Sequence, residues 1–262
     1  MAIWQVWAGG LLAVLVLMTV IWAISVVRHD ASLVDRVWGP AFVLSAFVYA
    51  LLGDGAGPRT ALVLVLVTVW GLRLGLHITR RNWGKGEDPR YRAMRERRPD
   101  SFAVTSLYRV FWLQAGLAWT ISLPLLAALH RPTPERLTWV DGLGVVVWLV
   151  GFVFEAGGDL QLSRFLADPK NRGKVMDRGL WRYTRHPNYF GDTTVWWGLF
   201  LIALATGAWW AAIGSAVMTF FIVQVSGVAL TDAGMAKSGS KREGYDEYVR
   251  RTNAFIPGPR KD

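Results

Sequence analysis

The arrangement of apolar residues constrains this chain more than any other feature. Hydrophobic residues make up 53% of the sequence, and they form blocks about as long as the ~20 residues that cross a bilayer as a helix. No long polar linker interrupts these blocks. We therefore expect an all-α integral membrane protein, with residues 1–262 forming a single domain. The expected fold is a seven-transmembrane helix bundle with short cytoplasmic amphipathic helices, whose spans cover residues 3–27, 33–53, 60–79, 104–129, 138–162, 190–206 and 208–231.

The positions of the basic residues predict the orientation of the bundle. The net charge is +10, which in a soluble protein would suggest a nucleic-acid partner. Most lysines and arginines, however, lie in 80–109, 164–185 and 237–261. By the positive-inside rule these segments face the cytoplasm. We expect the N-terminus outside, the C-terminus inside, no nucleic-acid partner, and residues 1–27 retained as a first helix rather than cleaved.

The composition excludes several kinds of chemistry. The chain has no cysteine, so disulfides, thiolate nucleophiles and iron–sulfur clusters are not expected. Metal-ligand spacing is not found among the four histidines, His29, His77, His130 and His186. We expect no metal. The sequence also has no Walker or dinucleotide glycine fingerprint, so any cofactor would bind among the helices.

Polar residues beside or within the apolar segments are the candidate functional groups, because ionisable side chains at membrane depth usually face a cavity or a partner. Asp35 lies at the start of the second segment, either as a charge near a helix end or as a carboxylate that faces a ligand cavity. Arg73, His77 and Arg80 are spaced i, i+4 and i+7 and share one helix face. Arg73 lies close enough to the helix end to snorkel instead.

The fifth segment carries two carboxylates that also share one helix face. Glu155 and Asp159 are four residues apart, and two glycines between them would let a neighbouring chain or a ligand approach closely. Two interpretations remain open at this point. The carboxylates form a structural ion pair, for instance with Arg73, or they accept hydrogen bonds from ribose hydroxyls or an amide.

The densest polar cluster spans residues 182–192, directly before the sixth apolar segment. A cluster of this kind at the mouth of a membrane helix is costly unless it binds something. Its arginines suit phosphate groups, and the apolar helices suit a lipid substrate that enters from the bilayer. The loop at 82–100 predicts a short surface helix, with closure over a bound phosphate as the alternative. The tail, at about 233–262, predicts a cytoplasmic amphipathic cap that folds back on the bundle.

Residues 185–192, Arg-His-Pro-Asn-Tyr-Phe-Gly-Asp, resemble the signature of the steroid 5α-reductase C-terminal superfamily. This superfamily includes sterol reductases and, more distantly, isoprenylcysteine carboxyl methyltransferases. A bacterial branch of uncharacterised function is similar over nearly the whole chain. Its further matches are Asp35 to Gly39, the set Phe154, Glu155 and Asp159, Ser226 to Val228, and Tyr245 to Pro257. The resemblance implies the inner membrane of a bacterium as the location.

The resemblance also implies an activity and a cofactor. It implies an NADPH-dependent reductase of a carbon–carbon double bond conjugated to a carbonyl, acting on a steroid-like or other lipid. In that chemistry the nicotinamide supplies hydride, and a protein acid hydrogen-bonds the carbonyl as enolate charge develops. The residues carried over as cofactor-binding are Arg73, Asp159, Arg185, His186, Asn188, Tyr189 and Asp192.

One departure puts the steroid specificity in doubt. In the steroid-reducing members, a tyrosine one turn before the arginine that matches Arg73 polarises the ketone together with a glutamate. Trp70 occupies that position here, and an indole cannot protonate a carbonyl. The predicted acid is therefore Asp35, His77 or Glu155.

Two other functions remain open. One is an S-adenosylmethionine-dependent membrane methyltransferase of the isoprenylcysteine type, because an Arg-His-Pro-x-Tyr motif also serves that cofactor. The other is a non-enzymatic membrane or lipid-binding protein, which leaves the carboxylates in the apolar segments without a role.

Overall fold

The protein is built from helices. The computed structural model describes residues 1–130, 133–228, 231–232, 234 and 242–261, and it contains no strand within those residues. The helices are α1 (Ile3–Arg28), α2 (Leu33–Arg36), α3 (Trp38–Leu52), α4 (Pro58–Asn82), α5 (Pro89–Glu96), α6 (Phe102–Ser106), α7 (Leu113–Ile121), α8 (Leu123–His130), α9 (Trp139–Ala167), α10 (Pro187–Leu204), α11 (Ala212–Phe220) and α12 (Tyr245–Arg251). Two π-helical segments, Leu107–Trp112 and Phe221–Ser226, continue α6 into α7 and extend α11.

Several of these helices are long and apolar enough to cross a membrane. Among the described residues these are Ile3–Arg28, Pro58–Asn82, Trp139–Ala167 and Trp209–Ser226, and the bent pair Phe102–Ile121 and Leu123–His130 makes a fifth if it is one span. The chain is therefore a multi-pass membrane protein. Each of the seven predicted apolar segments is helical over most of its described residues, and the second, fourth and seventh contain more than one helical element.

Two of the predicted spans do not qualify by length and composition. Helix α3 has only 15 residues, about 22 Å at 1.5 Å per residue, which is shorter than the ~30 Å hydrocarbon core. Helix α10 has 18 residues but begins with the polar end of the signature cluster. The count of seven spans stays a prediction.

The fourth predicted segment is broken rather than continuous. The two helices of the bent pair meet at an angle of 48°, and Pro124 in the first turn of α8 has no N–H to continue the backbone ladder. Ser122, between them, donates its hydroxyl to the carbonyl of Trp119 (2.7 Å) and also contacts the hydroxyl of Tyr49 at 2.7 Å. These hydrogen bonds satisfy the Trp119 carbonyl and the hydroxyls of Ser122 and Tyr49 at the break.

The chain divides into two compact units, which are described separately. The first unit comprises Met1–Thr138 and Ile202–Ile213, and the second comprises Trp139–Leu201 and Gly214–Asp262. The prediction of a single domain is not decided by this division and stays a prediction.

The first unit is held by close helix packing and buried aromatic rings. Gly39 of α3 and Gly71 of α4 face each other, so that a Cβ on Gly71 would lie 2.7 Å from the carbonyl oxygen of Gly39. Small residues at such positions let two helix backbones approach. Trp70, the neighbour of Gly71, is fully buried and meets the ring of Phe42 edge-on with 5.6 Å between centroids. The Trp70 side chain is therefore part of the core.

The second unit is organised by a row of glycines between α9 and α10. A Cβ on Gly151 would lie 2.5 Å from the backbone nitrogen of Val195, and one on Gly198 would lie 2.6 Å from that of Trp148. Gly158 continues the row, with Pro187 and Asn188 within about 3.3 Å of its missing Cβ. Gly151 and Gly158 are seven residues apart on α9, about two helical turns, so they lie on the same face of the helix. This contact brings the first turn of α10 against the turn of α9 that carries Asp159.

Candidate functional site

The chain before α10 is fixed by hydrogen bonds to α9. The backbone N–H of Leu180 donates to Oε1 of Gln161 at 2.9 Å, and the indole of Trp181 donates to the carbonyl of Gly158 at 3.0 Å. The hydroxyl of Tyr248, from α12, donates to the carbonyl of Trp181 at 2.8 Å. These hydrogen bonds fix the position of the segment that directly precedes residues 185–192.

The C-terminal tail packs onto the same segment. The backbone N–H of Arg185 donates to the carbonyl of Asn253 at 2.9 Å, and the Thr184 hydroxyl donates to the carbonyl of Phe255 at 2.8 Å. Residues 253–255 of the tail thus contact the segment before α10, whereas Ile256 is exposed. The cytoplasmic amphipathic cap at about 233–262 stays a prediction. Residues 233, 235–241 and 262 of the predicted cap lie outside the described residues.

Arg185 and His186 share one carboxylate. Nη2 of Arg185 lies 3.0 Å from Oδ2 of Asp232, and Nε2 of His186 lies 2.9 Å from Oδ1 of the same residue. Burial lowers the pKa of His186 below its usual range and outweighs the opposite effect of Asp232. The imidazole is therefore neutral at pH 7 and donates its Nε2–H to Asp232. Its ring also stacks on Tyr189, with 5.6 Å between centroids.

Asn188 and Tyr189 extend this network along the first turn of α10. Nδ2 of Asn188 donates to Oδ1 of Asp159 at 3.1 Å, and Asp159 is buried on α9. The Tyr189 hydroxyl lies 3.2 Å from the hydroxyl of Thr231. Five of the residues predicted to bind a cofactor thus form one group in the second unit, in which the pair Asn188 and Asp159 joins the others only along the backbone of α10. We call it the α10 network: Asp159, Arg185, His186, Asn188 and Tyr189, with Thr231 and Asp232.

Two polar atoms of the α10 network are buried without a partner among the described residues. They are Nε of Arg185, a donor, and Oδ1 of Asn188, an acceptor. An unsatisfied buried polar group costs about 1–3 kcal/mol, so each one calls for an explanation. A bound ligand that accepts from Arg185 and donates to Asn188 would remove both costs. With a cation, a neutral imidazole, an amide and a carboxylate, the network suits a ligand with phosphate and hydroxyl or amide groups.

A cavity of about 340 Å³ also lies in the second unit. It opens between the 174–178 segment and α12, and Tyr248 is in its wall. Its charged lining residues are Lys174, Asp177, Arg178, Glu243, Glu247, Arg251 and Arg260. Asp177 pairs with Arg260 and Glu247 with Arg251. Lys174, Arg178 and Glu243 have no ion-pair partner within the described part of the chain, so the lining carries both signs of charge with a small positive excess.

Comparison with known proteins gives the family. A family model described as a protein of unknown function, DUF1295, matches residues 21–252. The chain belongs to the DUF1295 family. A protein of Schizosaccharomyces pombe, described as uncharacterised, is 25% identical to this DUF1295 chain over 217 residues, which make up 73% of the chain and 63% of that relative. The chain thus spans less than two thirds of the relative's length. No solved structure matches it.

The remaining predicted residues of the DUF1295 chain lie in both units. Glu155 is buried on α9, one turn before Asp159, and its backbone nitrogen abuts Gly191 of α10. Asp192 follows on α10 and is half-buried. Arg73 and His77 lie half-buried on α4 of the first unit. The prediction that residues of both units share one pocket stays a prediction.

Asp35 belongs to a separate polar group in the first unit. The Tyr91 hydroxyl donates to Oδ1 of Asp35 at 2.7 Å, and Nη2 of Arg90 lies 3.0 Å from Oδ2. Gln114 donates to the Tyr91 oxygen at 3.3 Å. Burial, together with the Asp35 carboxylate, raises the pKa of Tyr91, so this phenol stays protonated. The group connects α5, which forms where a short surface helix is predicted, to α2.

Neither Asp232 nor Tyr91 was among the candidate residues that the sequence predicted. Asp232 is 46 positions from His186, and Tyr91 is 56 positions from Asp35. Each has a local signal, because Asp232 follows the last apolar segment and Tyr91 stands two residues after Pro89 in a charged loop. Those local signals do not predict that Asp232 contacts His186 or that Tyr91 contacts Asp35.

Proposed function

We propose that this protein is a membrane-embedded, NADPH-dependent reductase of a carbon–carbon double bond conjugated to a carbonyl in a steroid-like or other lipid substrate. The observation that carries the proposal is the α10 network. Five of the seven residues that the resemblance to the steroid 5α-reductase superfamily assigns to the cofactor hydrogen-bond to one another or to Thr231 and Asp232. A set drawn from separate stretches of sequence would not have to meet if each residue served local structure alone.

The chemistry of the α10 network fits this cofactor. Arg185 is a fixed cation whose Nε–H has no protein acceptor among the described residues, and guanidinium groups bind phosphate oxygens in a bidentate way. Asn188 offers an unused amide oxygen to an N–H or O–H donor. Asp159 holds the Asn188 amide so that this oxygen faces away from the carboxylate. When bound, NADPH supplies the hydride.

The chain's own residues would then bind and orient the reacting groups. Among the predicted acids, Glu155 lies one turn from Asp159 in the same unit and is only 2% exposed. We propose that Glu155, as the protonated carboxylic acid, donates the hydrogen bond to the substrate carbonyl while charge develops on its oxygen. Trp70 does not take that role, because its ring is part of the core of the first unit and its indole is a poor acid.

We also propose the finer topology that this function needs. All seven apolar segments cross the inner membrane of a bacterium, with the N-terminus outside and the C-terminus in the cytoplasm. The distribution of lysine and arginine supports this orientation. It places the α10 network at the cytoplasmic end, where NADPH is available.

The decisive experiment compares two cofactors on the purified, full-length protein in detergent. NADPH at ~100 times its dissociation constant should stabilise the fold by about 2.7 kcal/mol and raise the melting temperature, whereas S-adenosylmethionine should not. Arg185→Lys keeps a cation beside Asp232 but removes the Nε–H and the guanidinium fork, so it should abolish most of the NADPH shift. Arg250→Lys, at an exposed arginine of α12, should leave the shift intact.

The same experiment separates the alternatives. A melting-temperature rise with S-adenosylmethionine alone would assign the protein to the methyltransferase class. No response to either cofactor, with both variants melting like the wild type, would refute cofactor binding by the α10 network.

A further inference from the structure

A second cavity, in the first unit, is lined by three arginines. Its volume is about 210 Å³, and it lies between the end of α5 and the start of the span that begins at Phe102. The lining residues include Arg97, Arg98 and Arg109, the hydroxyl residues Thr105 and Ser106, and an apolar floor of Phe102 and Val110. No carboxylate of the described residues belongs to the lining.

These arginines differ from their neighbours in having no acidic partner. Nearby, Arg95 pairs with Glu87 at 2.8 Å and Arg90 pairs with Asp35 at 3.0 Å. Arg97, Arg98 and Arg109, by contrast, make no side-chain hydrogen bond or ion pair to any residue in the described ranges. Three positive charges around one cavity repel one another. The arrangement is therefore expected to attract an anion.

The hydroxyl groups of the cavity complement the arginines. Ser106 is buried and already donates its hydroxyl to the carbonyl of Ala103 at 2.9 Å, so Thr105 is the hydroxyl residue that can serve a ligand. Thr105, half-buried, makes no side-chain hydrogen bond within the described residues and is available to donate. Guanidinium and hydroxyl donors around a small apolar floor match a phosphate ester more closely than a bare ion.

An apolar strip leads from the cavity along the same span. Val104, Tyr108 and Trp112 are spaced by four residues and are exposed. Arg109, between them, lies in the π-helical segment Leu107–Trp112, and irregularities of this kind occur often at functional sites. An amphiphile with its anionic head in the cavity would have its chains along this strip.

We propose that this cavity binds the phosphodiester headgroup of an anionic phospholipid. Arg97, Arg98 and Arg109 hold the phosphate oxygens, Thr105 donates a hydrogen bond, and the acyl chains lie along Val104, Tyr108 and Trp112. A zwitterionic headgroup binds less well, because its ammonium group meets three guanidinium groups without a carboxylate. The site is independent of the α10 network and of the proposed reductase activity.

Titration of the full-length protein in non-ionic detergent with phosphatidylglycerol, phosphatidylcholine or inorganic phosphate tests the site. The melting temperature should rise in a saturable way with phosphatidylglycerol and much less with the other two. Each basic residue at an anionic lipid surface contributes about fivefold in affinity. The triple variant Arg97→Gln, Arg98→Gln, Arg109→Gln should therefore need about a hundredfold more phosphatidylglycerol for half of the shift.

The control variant removes three positive charges elsewhere in the same unit. Arg28→Gln, Arg80→Gln and Lys85→Gln together change exposed residues outside the cavity and should leave the titration unchanged. If the triple cavity variant does not fold, Arg98→Gln alone should weaken the response about fivefold. Equal responses to the two lipids, an unchanged cavity variant, or an equal loss in the control would overturn the proposal. If phosphate alone gave the full shift, the ligand would be a free anion and not a lipid.

Discussion

The Asp35 carboxylate, just before the apolar helix α3, is stabilised by hydrogen bonds from a few neighbouring side chains. The Asp35 side chain is only 18% exposed, and a poorly hydrated carboxylate is tolerated only with hydrogen-bond donors around it. Tyr91 supplies one donor and Arg90 supplies another. Glu87 follows the same rule, since hydrogen bonds from Arg95 and from the backbone of Ala31 outweigh the effect of burial and lower the pKa of Glu87.

Tyr91→Phe should destabilise the protein by about 1.5–3 kcal/mol, because it removes a hydrogen bond to a charged and poorly hydrated group. Chemical or thermal unfolding in detergent would measure the loss. Tyr108→Phe is the matched control, since that tyrosine is exposed and its hydroxyl has no hydrogen bond in the described residues. Combined with Asp35→Asn, the loss should be less than additive. Equal effects of the two tyrosine variants would show that the Asp35 contact contributes nothing.

At the residue scale, the sequence identifies the site where polar residues are dense. Arg185, His186, Asn188 and Tyr189 lie within five positions, and their grouping needs no tertiary information. Asp232 could not be selected in this way, because its value comes from folding that brings it 2.9 Å from His186. The resemblance likewise supplied the residue types but not the orientation of the Asn188 amide.

At the scale of elements, the glycines of α9 and α10 set how closely the two helices approach. A Cβ on Gly191 would lie 2.5 Å from the carbonyl oxygen of Gly151 and even closer to the backbone nitrogen of Glu155. These are backbone atoms, which cannot move aside as a flexible side chain would. The approach holds Asp159 within hydrogen-bond distance of Asn188, so the helix pair positions the α10 network.

Gly191→Ala should therefore destabilise the protein by about 1–3 kcal/mol or more, the usual cost of overpacking. Gly142→Ala is the control on α9, because nothing lies within 4 Å of its Cβ position. It should be neutral or stabilising by about 0.5–1 kcal/mol. The melting temperatures of both variants, compared with that of the wild type, measure these changes in stability. A Gly191→Ala variant as stable as Gly142→Ala would mean that the helices are not in contact here.

The sequence predicts where the apolar helices lie better than it predicts where they bend. Every predicted apolar segment is helical over most of its described residues, because runs of apolar residues with helical length have few alternatives in a bilayer. The bend at Pro124 was not predicted, since proline is tolerated in membrane helices and a kink depends on how neighbouring groups satisfy the freed carbonyls. In this chain Ser122 and Tyr49 take part in that local arrangement.

At the scale of the whole molecule, charge and helix length give different accounts of the topology. Basic residues are concentrated in alternate loops, and these loops all face one side if each of the seven predicted segments crosses. Length and composition support four or five spans among the described residues. The difference rests on α3 and α10, one of them short and the other polar at its start. Neighbouring helices can shield such segments from lipid, a contribution that hydropathy does not include.

Cysteine labelling distinguishes the two accounts, because the chain has no cysteine of its own. Single cysteines are introduced at the exposed positions Ala2, Ala56, Arg172 and Lys261, and intact cells are treated with a membrane-impermeant maleimide. With seven spans, Ala2→Cys and Ala56→Cys are labelled, whereas Arg172→Cys and Lys261→Cys react only after permeabilisation. If α10 does not cross, Arg172 and Lys261 lie on opposite sides, and if α3 does not cross, Ala2 and Ala56 do. Each helix is tested by its own pair, whichever way the protein is oriented.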